Sequence, residues 1–269
     1  MKDKHIFKVD TFSLKKTLEC GQCFRFIAEA NGGYCGIVSD KHVEVSQLGS
    51  TITVTGSISR ELLSDFFTFD IDYERIEQEI SNNEIFKKIL LYSSGIHILR
   101  QPLFETIITF ILSQNNNIKR ITSLVSSLCS NFGNEISKGF FTFPNAKTIA
   151  SLNLDELSVI RCGFRDKYIM DAASKWVSGD ISEEIIRKAP LEEARAELMK
   201  IKGVGPKVAN CVLLFGASRF NAFPEDVWIK RIMGTLFEKG LPDYVDDYAG
   251  IVQQYLFYYA RAELLKTLK

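Results

Sequence analysis

The chain has 269 residues, 46% of them hydrophobic, and its 33 basic side chains balance its 33 acidic ones. This length holds one large or two ordinary domains, and apolar content with no net charge excludes an intrinsically disordered chain. Leu103 to Leu112, a long apolar run, carries Glu105 and falls short of the ~20 residues of a membrane span, while zero net charge excludes a polycation that holds nucleic acid by bulk attraction.

No basic segment followed by an apolar stretch opens the chain, so no export signal is expected. From about 23 to 57 the sequence alternates in strand fashion between turn signals: FRFIA, Asn31-Gly32-Gly33, YCGIV, Ser39-Asp40-Lys41, HVEVS, Gly49 and TITVT. This predicts an antiparallel meander. A helical stretch follows at about 60–90. From about 103 onward the period is helical nearly throughout. Ile118, Ile121, Leu124, Val125, Leu128 and Phe132 make one apolar stripe, which Asn117 can cap after the polar break Ser113 to Asn116. Further helices are expected near 155–162, 167–178, 191–201, 206–217, 225–238 and 246–267. Pro190, Pro206 and Pro224 each stand where a first helical turn would begin. The expected fold is α+β: an N-terminal antiparallel β-sheet domain with flanking helices, 1–95, then a mostly α-helical body, 96–269. The first part holds 11 basic and 14 acidic residues and the second 22 and 19, so their charges are −3 and +3.

Cysteines 20, 23, 35, 129, 162 and 211 are scattered, as free thiols in a reducing compartment would be. Cys20-Gly-Gln-Cys23 has the spacing of a zinc knuckle or redox pair. It has no second pair, and the histidines are only His5, His42 and His97, so no metal is expected there.

The chemistry is concentrated in LMKIKGVGPKVANCVLLFG at 198–216 and NAFPEDVWIKRI at 221–232. Two helices joined by Gly203-Val204-Gly205 form a tight hairpin. Backbone donors at the second helix's N-terminus can hold phosphate without regard to base sequence, and Lys200 and Lys202 add positive charge. Taken alone, the same turn reads equally well as a plain αα-corner. Lys207 falls in the first turn of that second helix, where the macrodipole and partial desolvation both disfavour a cation, and a neutral amine is a nucleophile. Read singly it is an exposed helix lysine. Cys211 lies four residues on, on the same face. Asp226 is expected three residues into the next helix, where the dipole favours a carboxylate. Such a lysine and carboxylate beside a phosphate-binding hairpin suit cleavage of a bond that develops positive charge on a sugar.

On these residues the chain resembles the helix-hairpin-helix DNA glycosylases with a Gly/Pro-rich loop and a following Asp. Four more motifs, CGQCFRF at 20–26, SQNNNIKRI at 113–121, CGFRDKY at 162–168 and YAGIVQQYLF at 248–257, are similar to the eukaryotic type of 8-oxoguanine DNA glycosylase. The resemblance covers about 12 to 260. It implies a bifunctional DNA repair enzyme that excises 8-oxoguanine opposite cytosine from double-stranded DNA, then cuts the strand by β-elimination. It implies Lys207 as the nucleophile that forms a Schiff base and Asp226 as the group that stabilises the electron-poor sugar. The extruded base would lie between Phe257 and Cys211, with Gln253 on its Watson–Crick edge and the Gly21 carbonyl on its N7–H. Asn115, Arg120, Arg165 and a wedging Phe164 would read the estranged cytosine. Gly203, Gly205 and the Lys207 backbone would hold phosphate. No cofactor is implied; a structural monovalent cation could sit on the carbonyls of Met199, Ile201 and Val204. Short ends suit a monomer in a prokaryotic cytoplasm, with no membrane partner.

Two departures stand out. Phe164 takes a position where tyrosine is common in the eukaryotic branch. Trp228 replaces a histidine expected near the 5′ phosphate, so that contact would pass to Lys230 or Arg231. The alternatives are a same-fold enzyme for another damaged or mismatched base, and a non-catalytic helix-hairpin-helix DNA binder. A monofunctional glycosylase lacks the lysine, and a bare binder has no use for the Lys207–Asp226 pair.

Overall fold

The structure, a computed structural model, describes residues 3–267. The outermost residues of the two expected domains, 1–2 and 268–269, lie outside the described residues. The fold is α+β. Strand β1 (Asp3–Lys8) and helix α1 (Leu14–Glu19) precede β2 (Phe26–Ala28), β3 (Tyr34–Val38), β4 (Lys41–Leu48) and β5 (Thr51–Gly56). The five strands form one antiparallel sheet in the order β1-β5-β4-β3-β2. The meander arises because Val43, Val45, Ile52 and Val54 point to one buried face, while their neighbours on β4 and β5 are more open to solvent. Strand β1 was not anticipated. It is an edge strand whose one buried side chain, Phe7, sits opposite Ile52.

There follow α2 (Arg60–Phe66), whose Leu63 and Phe66 pack under the sheet, and then, in the helical body, α3 (Tyr73–Ile80), α4 (Glu84–Ser93), α5 (Leu103–Ser113) and α6 (Ile118–Phe132). A small hairpin, β6 (Glu135–Ser137) and β7 (Phe140–Phe141), leads to α7 (Ala146–Ala150), α8 (Leu154–Leu157), α9 (Asp166–Ser178), α10 (Glu183–Lys188) and α11 (Leu191–Met199). Helices α12 (Pro206–Gly216), α13 (Val227–Leu236) and α14 (Ala249–Thr267) complete it. Ser59, Asp72, Asn83, Asn117 and Ser182 each accept a first-turn N–H, the polar caps that start these helices. Of the three prolines expected inside first turns, only Pro206 is there. Pro190 is the cap residue of α11, with ψ 148°, and Pro224 lies outside any helix, three residues ahead of α13. The fixed φ of proline suits an extended cap residue as well as a first turn.

Two apolar cores form. One lies under the sheet and includes Phe7, Phe12, Val43, Ile52, Val54 and Phe67. The other fills the helical body and already includes Tyr73, Ile76, Ile80, Phe86 and Ile89 of α3 and α4. The packing therefore does not divide at residue 95: those two helices, expected with the sheet domain, bury their apolar faces in the body. Cys20 belongs to the helical core and Cys23 to the sheet core, so the C-x-x-C pair straddles the junction.

Helix α5 runs through the middle, with eight buried residues, and packs on α12, where Phe110 stacks on Phe215 at 5.3 Å and 11°. A Cβ on Gly216 would lie 2.9 Å from Thr106, so glycine lets the two backbones approach. Helix α14 is tied to α3 by the Tyr255 hydroxyl, which donates to Glu77 at 3.0 Å. The same carboxylate accepts from Ser94 Oγ at 2.6 Å and the Gly95 N–H at 2.9 Å. Among the described residues no helix is long and apolar enough to cross a membrane.

Candidate active site

Helix α11 ends at Met199 and the chain turns through Gly203 into α12. Gly203 has φ +78°, and a Cβ there would lie 2.3 Å from the Tyr168 ring, so only glycine fits. Gly205 is extended, with φ −101° and ψ −178°, and Pro206 opens the helix. Gly205 faces open space, and no side chain caps α12. The first-turn N–H groups of this helix are thereby left for a ligand, in an arrangement suited to an anion.

Lys207 is the second residue of α12. It is half-buried, with Nζ 5.7 Å from the centroid of the Phe110 ring. One turn on, Cys211 is buried. Burial pushes that thiol up more strongly than the Lys207 charge pulls it down, so Cys211 is a neutral, polarisable wall. Asp226 corrects the expectation of a place three residues into the helix. It is the cap residue of α13, extended at φ −102° and ψ −175°, and its Oδ1 accepts the Ile229 N–H at 2.8 Å. Its carboxylate still meets the positive end of the helix.

Lys207, Cys211, Asp226, Gly21, Gln253 and Phe257 all line one cleft of about 340 Å³, its mouth included. Three separate chain regions converge here: the 20–21 turn, the α12–α13 segment and α14. Gly21 has φ +93°, and a Cβ on it would lie 3.0 Å from Ile118 Cδ1 and 3.9 Å from Phe257 Cε1. A side chain at this point would be strained and would intrude beside the Phe257 ring. Gln253 is 4% exposed, and its buried Oε1 has no hydrogen-bond partner among the described residues. Such an orphan is costly unless a ligand supplies the donor.

Four further lining residues escaped sequence reading: Phe110, Phe215, Pro224 and Gln254. The two phenylalanines belong to helix stripes that read as core, which they also are. Gln254 donates to the Cys20 carbonyl at 3.3 Å and so ties the Gly21 turn to α14. Its adjacency to Gln253 was the available signal. The wider groove outside the cleft is lined by Trp228 with Lys119 and Arg261, and not by Lys230 or Arg231. Besides Lys207, the cations lining this groove thus come from α6 and α14.

The residues implied for the opposite base lie in two neighbouring stretches, 115–120 and 164–165. Asn115 is exposed with φ +47°. Arg165, 7% exposed, donates Nε to the Gln114 carbonyl at 3.1 Å and Nη1 to the Cys162 carbonyl at 2.9 Å, while Nη2 also bonds the Gln114 carbonyl. Arg120 Nη2 donates to the Arg161 carbonyl at 3.1 Å. Arg165 therefore ties Gln114 to its own 162–165 stretch and keeps few donors to spare, while Arg120 ties the first turn of α6 to Arg161. Phe164 is 53% exposed, with the Arg165 guanidinium 4.5 Å from its ring centroid.

Residues 4–107 match the family described as 8-oxoguanine DNA glycosylase, N-terminal domain, and residues 108–240 match the HhH-GPD superfamily of base excision DNA repair proteins. The N-glycosylase/DNA lyase of Saccharomyces cerevisiae is 36% identical over 187 residues, which is 63% of this chain and 49% of the yeast protein. The N-glycosylase/DNA lyase OGG1 of Arabidopsis thaliana is 31% identical over 236 residues, or 82% of this chain and 65% of that protein. The matches thus span about half to two thirds of those two relatives. Among solved structures, MBOgg1 in complex with a low-affinity DNA ligand superposes with TM-score 0.90 at 39% identity, covering 97% of this chain and 96% of that one. The Clostridium acetobutylicum 8-oxoguanine glycosylase/lyase bound to dsDNA containing cytosine opposite 8-oxoG gives TM-score 0.89 at 32% identity, covering 98% of each chain.

Proposed function

The chain belongs to the 8-oxoguanine DNA glycosylase family of the helix-hairpin-helix base excision repair superfamily, and from that premise we propose that it excises 8-oxoguanine paired with cytosine in duplex DNA and then cleaves the strand. One observation carries the reading: the amine of Lys207, the carboxylate of Asp226 and the orphaned acceptor of Gln253 share a single cleft.

In this reading the Lys207 amine attacks C1′ of the sugar. The new N–C1′ bond forms as the bond from C1′ to the base breaks, and the base leaves with that electron pair. Asp226, held at the head of α13, stabilises the positive charge that develops on the sugar. The amine adduct becomes a Schiff base, and β-elimination breaks the strand on the 3′ side. A half-buried site strengthens these electrostatic effects relative to water.

Base extrusion precedes the chemistry. The flipped base lies between the Phe257 ring and the Cys211 thiol, and donors on its Watson–Crick edge satisfy Gln253 Oε1. The Gly21 carbonyl takes the N7–H that 8-oxoguanine has and guanine lacks. Facing guanine N7, that carbonyl would meet another acceptor, at a cost of ~1–3 kcal/mol. Asn115 fills the vacated place in the duplex, Phe164 wedges beside the estranged cytosine, and Arg120 and Arg165 donate to its acceptors.

The backbone of Gly203, Gly205 and Lys207 holds the damaged strand's phosphate. The carbonyls of Met199, Ile201 and Val204 can hold a monovalent cation: among the described residues Ile201 O accepts the Val204 N–H at 3.1 Å, leaving a lone pair. Such an ion would be structural. We assign the protein to a prokaryotic cytoplasm, acting as a monomer on DNA.

Single-turnover base release from duplexes with each of the four bases opposite 8-oxoguanine tests this function. Release fastest opposite cytosine is expected. Equal release opposite adenine would point to another specificity on the same fold.

A further inference from the structure

Helix α9 touches the phosphate-binding hairpin with three residues on one face. Tyr168, Asp171 and Lys175 fall at i, i+3 and i+7, which align along a helix. The Tyr168 ring fills the space a Cβ on Gly203 would need. Asp171 Oδ2 accepts the Lys202 N–H at 2.8 Å. The Lys175 ammonium lies 3.0 Å from the Asp171 carboxylate and donates to the Lys200 carbonyl. Burial, the largest influence, pushes the Asp171 carboxyl up, yet the Lys202 N–H and the Lys175 and Lys202 charges together bring it below its ordinary value. The grip is therefore charged at neutral pH.

At its other end α9 begins directly after Phe164 and Arg165, which form a single 3-10 turn with Gly163. Tyr168 meets Phe164 edge to face, with ring centroids 5.9 Å apart at 73°. One aromatic ring thus separates the hairpin backbone from the exposed wedge. The hairpin holds one DNA strand in the proposed function, and the Phe164–Arg165 turn reads the other. Hydrogen bonds from Arg165 to a base weaken steeply with misalignment, so the distance between these two elements has to be held.

We propose that α9 is a strut that sets the register between the phosphate-binding hairpin and the opposite-base reader, with Tyr168, Asp171 and Lys175 as positioning residues for opposite-base discrimination. This rests on the proposed assignment of the two elements to the two strands, and is tested without base release. The probe is a duplex with a tetrahydrofuran abasic site opposite cytosine or adenine. Its dissociation constants are measured for the wild-type protein and for Tyr168→Ala, Asp171→Ala and Tyr168→Phe.

The adenine-to-cytosine ratio of dissociation constants is expected to fall at least threefold in Tyr168→Ala and Asp171→Ala, and to stay at the wild-type value in Tyr168→Phe, which keeps the ring. Equal weakening on both duplexes, with the ratio unchanged, overturns the strut and leaves only a structural contact. Lys175→Met, at a partly exposed position, carries the same test if the other variants fail to fold. A wild-type protein that prefers cytosine here yet releases no 8-oxoguanine would refute the proposed function and not the strut.

Discussion

The Asp226 carboxylate caps α13 by accepting the Ile229 N–H at 2.8 Å, while the same side chain lines the cleft that holds Lys207. One oxygen is committed to the helix and the charge is offered to the site. Asp226→Asn keeps a good cap but loses the charge. Its melting temperature should therefore stay close to wild type, while single-turnover base release falls on the order of 10²-fold or more. Asp226→Ala should also lose about 1 kcal/mol of stability. A large stability loss in Asp226→Asn would show that the charge serves the fold.

Gln253 sits four residues before Phe257 on α14, with a buried acceptor that has no partner among the described residues. In the proposed function, a group that costs stability in the free protein gains its partner from the substrate. Gln253→Leu should raise the free energy of unfolding by about 1 kcal/mol and slow release of 8-oxoguanine, while still cutting a preformed abasic site. Denaturant unfolding and a two-substrate assay read both sides. An unchanged rate of base release would remove Gln253 from base recognition.

His97 predicts the acid limb of stability. Burial pushes its imidazole down to about 4, outweighing the Phe67 and Thr11 carbonyls that pull it up. The ring stacks on Tyr73 at 3.7 Å and 14°. A folded-state value below the unfolded ~6.5 means the neutral ring is favoured by folding. That contribution, about 3 kcal/mol, is fully present above pH ~6.5 and is lost as pH falls toward 4. Unfolding measured from pH 7.5 to 4.5 should show the decline, and His97→Gln should flatten it. An equally steep decline in His97→Gln would assign the acid limb to other groups.

Charge makes a quantitative prediction about DNA. The chain is neutral overall, and phosphate is expected to meet backbone donors and a few lysines. The logarithm of affinity should fall with the logarithm of salt at a slope matching roughly two to four neutralised phosphates. A slope near that of a strongly basic binder would contradict this footprint.

Much of the architecture was legible because its causes are local. Alternation marked β3, β4 and β5, and Asn117 marked the start of α6. Strand β1 was not legible, since Phe7 alone is buried and its pairing depends on a partner more than 40 residues away. The start of α13 shifted because Asp226 serves as an extended cap, which a count from Pro224 does not register. Lys207 and Cys211 were placed by helical spacing. Their meeting with Gly21, Gln253 and Phe257 depends on tertiary packing, and only the motif resemblance anticipated it. Phe110 and Phe215 remained hidden because a residue that serves both core and cleft looks like core in one dimension.

The central claim, a covalent route through Lys207, is tested most directly by borohydride trapping on a duplex with 8-oxoguanine opposite cytosine. A trapped protein–DNA adduct in the wild type and none in Lys207→Gln is the predicted result. No adduct in the wild type, or equal trapping in Lys207→Gln, would contradict the account.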